Sequence, residues 1–168
     1  MAFTAGVPIP VIAKVLKEFR GVEHRLEFVR EKDGVRFYND SKATNPTATV
    51  KTIESFKQGI VLIAGGLDRG SDYMEPLPAF ERQVKAVVAL GETKEKIVRV
   101  AKLAGMSRVK TVDTANSVQD TVGEAVRAAF SMADKGDIVL LSPACASWDM
   151  FPSYEERGSM FKQSVHNL

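Results

Sequence analysis

Ile60-Val61-Leu62-Ile63-Ala64 is an unbroken apolar run of strand length, and Ala86-Val87-Val88-Ala89-Leu90 and Ile138-Val139-Leu140-Leu141 repeat the pattern. A strand covered on both faces of a parallel sheet reads this way, because neither face meets water. Val109-Lys110-Thr111-Val112 predicts a weaker strand. Elsewhere the apolar spacing is helical. Ile12, Val15, Leu16 and Phe19 predict a helix over 8–20, opened by Pro8 and Pro10 and stopped by Gly21. Ala48, Val50, Ile53 and Phe56 predict a second helix from Pro46, ending near Gly59. Two more are expected around 93–104 and 115–130, the latter with Val118, Val122, Ala125, Val126 and Ala129 as its buried stripe.

One segment alternates instead. Leu26, Phe28, Val35 and Phe37 are interleaved with polar residues around Asp33-Gly34, a strong signal for a two-residue hairpin turn. Strands alternating with helices imply βαβ crossovers, hence an α/β fold with an open, mostly parallel sheet and one antiparallel hairpin strand. Ligands gather at the carboxyl ends of the strands in such sheets. That rule selects three loops: 39–45, 65–73 and 142–153.

The 168 residues suit one well-buried domain, taken here as 21–168. A formal charge of +2 with acids and bases interleaved lacks the footprint of a nucleic-acid binder. The cluster Lys94, Lys96, Arg99 and Lys102 reads as one solvated helix face. No apolar run has the length of a membrane span and the start has no signal-peptide pattern, so a cytoplasmic protein without membrane contact is expected. Cys145 is the single cysteine, which fits a reducing compartment. With only His24 and His166 and no paired cysteines, no metal-ligand motif is recognised.

The first loop carries the densest chemistry. Tyr38-Asn39-Asp40-Ser41-Lys42-Ala43-Thr44-Asn45-Pro46 gathers an acid, an ammonium, hydroxyls and amides ahead of a helix that Asn45 caps and Pro46 begins. An anion near Lys42 would also meet the positive end of that helix. In the second loop, Gly65-Gly66-Leu67-Asp68-Arg69-Gly70, glycines allow close backbone approach and Arg69 can grip a carboxylate or phosphate as a fork. The glycine spacing imitates a P-loop, but Ser71 stands where the lysine is required and no dinucleotide fingerprint occurs. In the third loop Ser153 and Glu156 form a capping box for a last helix, and small residues with hydroxyls precede it. Cys145 reads as a buried, inert thiol and Trp148 as a packing residue.

Glu23-His24-Arg25-Leu26-Glu27, Tyr38-Asn39-Asp40-Ser41-Lys42-Ala43-Thr44-Asn45, Gly65-Gly66-Leu67-Asp68-Arg69-Gly70 and Ser142-Pro143-Ala144-Cys145-Ala146-Ser147-Trp148-Asp149-Met150-Phe151 together closely resemble the Mur ligases, specifically their D-glutamate-adding type. The resemblance implies a Rossmann-like domain of three layers. It also implies an ATP-dependent, amide-forming enzyme of peptidoglycan synthesis that joins D-glutamate to UDP-N-acetylmuramoyl-L-alanine through an acyl phosphate. Family members have three domains. This chain resembles the third, with residues 1–20 as the last helix of the central ATPase domain or a linker. On that comparison ATP and Mg2+ serve the full-length enzyme, their principal ligands lie outside the chain, the chain is inactive alone, and a monomer is expected.

Carried over position by position, the resemblance implies that Thr44 and Arg69 hold the α-carboxylate of D-glutamate. Ser147 and the backbone of Tyr154 hold its side-chain carboxylate. Lys42 lies by the reacting groups as the catalytic lysine, and Arg25 and Asp40 contact ATP. The alternative for Asp40 is an internal salt bridge to Lys42. The alternative for the chain is a stand-alone Rossmann-like module that binds a small anion or a protein without catalysis.

Overall fold

The computed structural model describes residues 1–19, 21–57, 59–113 and 116–168. The strands β1 (Glu27–Lys32), β2 (Val35–Asn39), β3 (Ile60–Ala64), β4 (Val84–Ala89), β5 (Val109–Thr111) and β6 (Ile138–Leu141) form one sheet, ordered β1-β2-β6-β3-β4-β5. Neighbours run parallel except in the β1–β2 hairpin. There Asp33 (φ 53°) and Gly34 (φ 81°) make the turn, whose left-handed backbone matches the twist of the strands.

Helices α1 (Ile9–Glu18), α2 (Pro46–Ile53), α3 (Leu77–Gln83), α4 (Lys94–Leu103), α5 (Val118–Ser131) and α6 (Tyr154–His166) accompany the strands. The strand period of two divides the sheet between two cores. Val61, Ile63, Val139 and Leu141 face α5 and α6, whereas Ile60, Leu62, Ile138 and Leu140 face α2, α3 and α4. The three-layer α/β architecture follows.

Local signals place most boundaries. Asn45 caps α2, its side-chain oxygen accepting the Ala48 N–H at 2.9 Å with Pro46 at the first helical position. Ser153 caps α6 in the same way, accepting the Glu156 N–H at 3.1 Å. Helix α5 begins at Val118 behind its cap Ser117, while the expected start at Ala115 lies outside the described residues. So does the expected end of α1 at Arg20. Helix α3, which the apolar pattern did not indicate, is short and opens at Pro76 and Pro78, proline being well tolerated at a helix start. The apolar side chains of α1 find no core: none of its residues is buried, and Ile9, Val15 and Leu16 are exposed. Among the described residues no helix is long and apolar enough to cross a membrane.

Register brings the site together. Asn39 pairs with Leu141 and Ile63 with Leu141, so β2, β6 and β3 end side by side. The three chemically dense loops therefore leave adjacent strands at one edge.

Candidate functional site

The first loop is held from within by Asp40. This carboxylate is buried, and it accepts the Thr52 hydroxyl at 2.6 Å, the Ser142 hydroxyl at 2.9 Å and the Leu26 N–H at 3.2 Å. Burial pushes the Asp40 carboxyl above its ordinary range, against these hydrogen bonds and the field of Arg25. The carboxylate thus points inward onto three donors. The alternative salt bridge to Lys42 does not form. The Lys42 ammonium donates instead to the Tyr154 hydroxyl at 2.7 Å. Arg25 is exposed on the turn before β1, where His24 (φ 62°) and Leu26 (φ 47°) adopt left-handed backbone that side chains disfavour.

The loops that follow three adjacent strands meet around one cleft. Thr44 from the first loop, Arg69 from the second and Ser147 from the third line a hollow of about 280 Å3 with Trp148, Tyr154 and Glu155. Tyr154 and Glu155 open α6, whose first N–H groups have no partner within the helix, so its positive end faces the cleft. Trp148 is 65% exposed with the Arg69 guanidinium 5.7 Å from its ring centroid, a cation–π arrangement. It is a wall of the cleft and not the packing residue expected, because the chain turns outward after Ser147.

Arg157 went unnoticed in the sequence, although it ties the first loop to the third. The residue is 3% exposed. Its Nε donates to the Ser41 hydroxyl at 2.9 Å, one Nη to the Ser41 carbonyl at 2.8 Å and the other to the Cys145 carbonyl at 3.1 Å. Burial lowers the guanidinium to about 10, which leaves it charged at neutral pH. Ser41 in turn donates to the Tyr154 carbonyl at 2.7 Å. Loop one, loop three and the start of α6 are thus one hydrogen-bonded body. An arginine inside a mostly polar helix carries no local mark of burial, so no sequence signal found it.

A second framework stands behind α6. Asn39, fully buried, donates to His24 Nδ1 at 3.0 Å and to Glu27 at 2.9 Å, and accepts the Ser41 N–H at 3.1 Å. Glu23, His24 and Glu27 present donor atoms within 4.8 Å of one another, a possible metal grouping that the sequence motifs did not indicate. A cation of the protein already serves it. The Lys162 ammonium lies 2.5 Å from Glu23 and 3.1 Å from Glu27.

The glycine loop does not fit a triphosphate. Its amides are spent inside the protein: Gly65 N–H on the Pro143 carbonyl, Gly66 on the Thr93 hydroxyl, Leu67 on the Ala146 carbonyl, Asp68 on Glu92 and Gly70 on Asp68. The glycines are required for packing, since a Cβ at Gly65 would lie 1.9 Å from the Leu90 carbonyl oxygen and one at Gly66 2.4 Å from that of Ala146. Cys145 is buried between Thr93 and Tyr73, and burial raises its thiol above the ordinary range, which disfavours the thiolate form. A larger hollow, about 480 Å3, opens at the opposite edge of the sheet by Lys85 and Arg82. Its central ammonium, Lys85, is already paired with Asp134 and Asp137.

Comparison with known proteins shows which family the chain belongs to. The family model described as Mur ligase, glutamate ligase domain, matches residues 24–145. A curated relative from Caldanaerobacter subterraneus subsp. tengcongensis, named UDP-N-acetylmuramoylalanine--D-glutamate ligase, is 46% identical over 168 residues, 100% of this chain and 36% of its own length. Relatives of the same name are 48% identical over 168 residues in Thermoanaerobacter pseudethanolicus, with 36% of that protein covered, and 49% over 163 residues in Bacillus thuringiensis, with 34% covered. The chain thus spans about a third of the length of the curated relatives it matches. The matched segment contains the hairpin, all three strand ends and the first two loops, and on this basis the chain belongs to the Mur ligase family through its glutamate ligase domain.

Proposed function

We propose that this chain is the D-glutamate-binding part of an ATP-dependent ligase that adds D-glutamate to UDP-N-acetylmuramoyl-L-alanine in peptidoglycan synthesis. The observation that carries the reading is the meeting of Thr44, Arg69, Ser147 and Tyr154, from three separate loops, around one cleft beside Lys42.

D-Glutamate brings two carboxylates, and the cleft offers donors at two points. Thr44 and the Arg69 guanidinium take the α-carboxylate. The Ser147 hydroxyl and the Tyr154 N–H at the start of α6 take the side-chain carboxylate, where the helix end favours negative charge. Lys42 stabilises the charge that develops as the amine attacks. Holding two anionic reactants in register is the larger part of such catalysis. Arg25 faces outward towards the nucleotide, and Asp40 supports it indirectly by holding the Leu26 N–H.

ATP activates the acceptor carboxylate in the whole enzyme. ATP and Mg2+ are held mainly by residues outside this chain, because the glycine loop keeps its amides for itself. The exposed apolar face of α1 packs, on this reading, against the preceding ATPase domain. The enzyme works as a cytoplasmic monomer, and the chain alone has no turnover.

Titrating the 168-residue chain with D- and L-glutamate while recording amide shifts tests the reading. D-Glutamate should perturb Thr44, Arg69, Ser147 and Tyr154. Equal perturbation by the two enantiomers, or none, overturns it.

A further inference from the structure

We propose that the Tyr154 phenol is a positioning group for Lys42, holding its ammonium at the mouth of the cleft without neutralising it. The inference rests on the ligase reading above and adds a role for a hydroxyl that the reading leaves unused.

The contact is direct: Lys42 Nζ donates to Tyr154 Oη at 2.7 Å and lies 4.4 Å from the ring centroid. A lysine side chain loses much rotamer freedom when ordered, so an aimed ammonium needs an acceptor. A carboxylate in that position would cancel the charge the reaction requires. A phenol oxygen accepts the N–H and leaves the full positive charge available.

Tyr154 is itself held at its backbone and at its ring. Its backbone carbonyl accepts the Ser41 hydroxyl at 2.7 Å, and its ring meets the His24 ring edge-on, with centroids 6.1 Å apart. One turn later Gly158 lets α6 lie against His24, where a Cβ would come within 2.2 Å of Nδ1.

The test is Tyr154→Phe in the full-length ligase, which removes one oxygen and keeps the ring and the Tyr154 backbone N–H. Losing this charge-assisted hydrogen bond should lower kcat by roughly tenfold. KM for D-glutamate should stay within about twofold, since the backbone donor is intact. An unchanged kcat overturns the proposal. So does a proportional change of kcat and KM, or a thermal midpoint lower by more than about 5 °C, which would mark a structural role. If the unmodified full-length protein shows no D-glutamate-dependent turnover, the ligase reading itself fails. If it turns over and Tyr154→Phe behaves like the parent, only the positioning role fails.

Discussion

The Arg157 guanidinium grips Ser41 twice, with Nε 2.9 Å from its hydroxyl and Nη 2.8 Å from its carbonyl, across 116 residues of sequence. With its third bond to the Cys145 carbonyl, it ties the first loop to the third beneath the cleft. Arg157→Leu should lower stability by about 3 kcal/mol, because buried acceptors lose a charged donor and regain no water. Arg157→Lys should recover little of that, since one ammonium cannot span the fork. Urea unfolding of both variants checks this, and a lysine variant as stable as the parent would refute it.

Asp40 sets a pH dependence whose sign follows from its burial. Its native carboxyl titrates above the ordinary aspartate range, so the folded state takes up the proton first as pH falls. Asp40 therefore weighs against stability at neutral pH, and this cost is relieved as pH drops through its native value towards about 4. Asp40→Asn removes this titrating group. The stability difference, parent minus variant, should move in favour of the parent between pH 7 and pH 4 in urea midpoints. Movement the other way would mean that Asp40 is a stabilised carboxylate.

Two helical glycines should respond oppositely to alanine. At Gly158 a Cβ would meet His24 Nδ1 at 2.2 Å and Asn39 Nδ2 at 3.1 Å, both groups in the buried network. Gly158→Ala should destabilise by about 2 kcal/mol through overpacking. At Gly123 the nearest atom is the free end of Arg127, at 3.2 Å. Gly123→Ala should stabilise by up to about 1 kcal/mol through helix propensity. Thermal midpoints of the two variants decide the matter.

Trp148 separates binding from stability. Being 65% exposed, it contributes little to the core, so Trp148→Ala should change unfolding stability by less than about 0.5 kcal/mol. On the proposed function it should weaken D-glutamate binding several-fold, by freeing Arg69 to leave the cleft. Arg69→Ala should weaken it more. Calorimetric titration beside urea unfolding gives both quantities, and a Trp148 variant with intact affinity removes that side chain from the site.

Lysines of equal charge should differ sharply in turnover. Lys42 stands at the cleft, whereas Lys94 on α4 is paired with Asp113 away from it. In the full-length enzyme Lys42→Ala should reduce kcat by about a hundredfold or more, the scale of losing a preorganised charge. Lys94→Ala should stay within about twofold of the parent. Steady-state phosphate release measures both, and equal effects would remove Lys42 from the mechanism.

Several elements were legible in the amino-acid sequence because few neighbouring residues decide them. The runs Ile60–Ala64 and Ile138–Leu141 are strands wherever they are buried on two faces, Asp33-Gly34 closes the hairpin by its own backbone preference, and Asn45 and Ser153 cap their helices through bonds three residues long. The three loops that the strand-end rule selects leave the neighbouring strands β2, β3 and β6. The burial of Asp40, the exposure of Trp148 and the reach of Arg157 were not legible, and the apolar pattern did not indicate α3. Those features depend on the order β2-β6-β3, which sets three distant loops side by side. Local hydrogen bonding acts over a turn of chain and is written in its residue types. Which carboxylate turns inward, and which guanidinium finds two loops to join, is settled only when the sheet has brought their partners within hydrogen-bond reach.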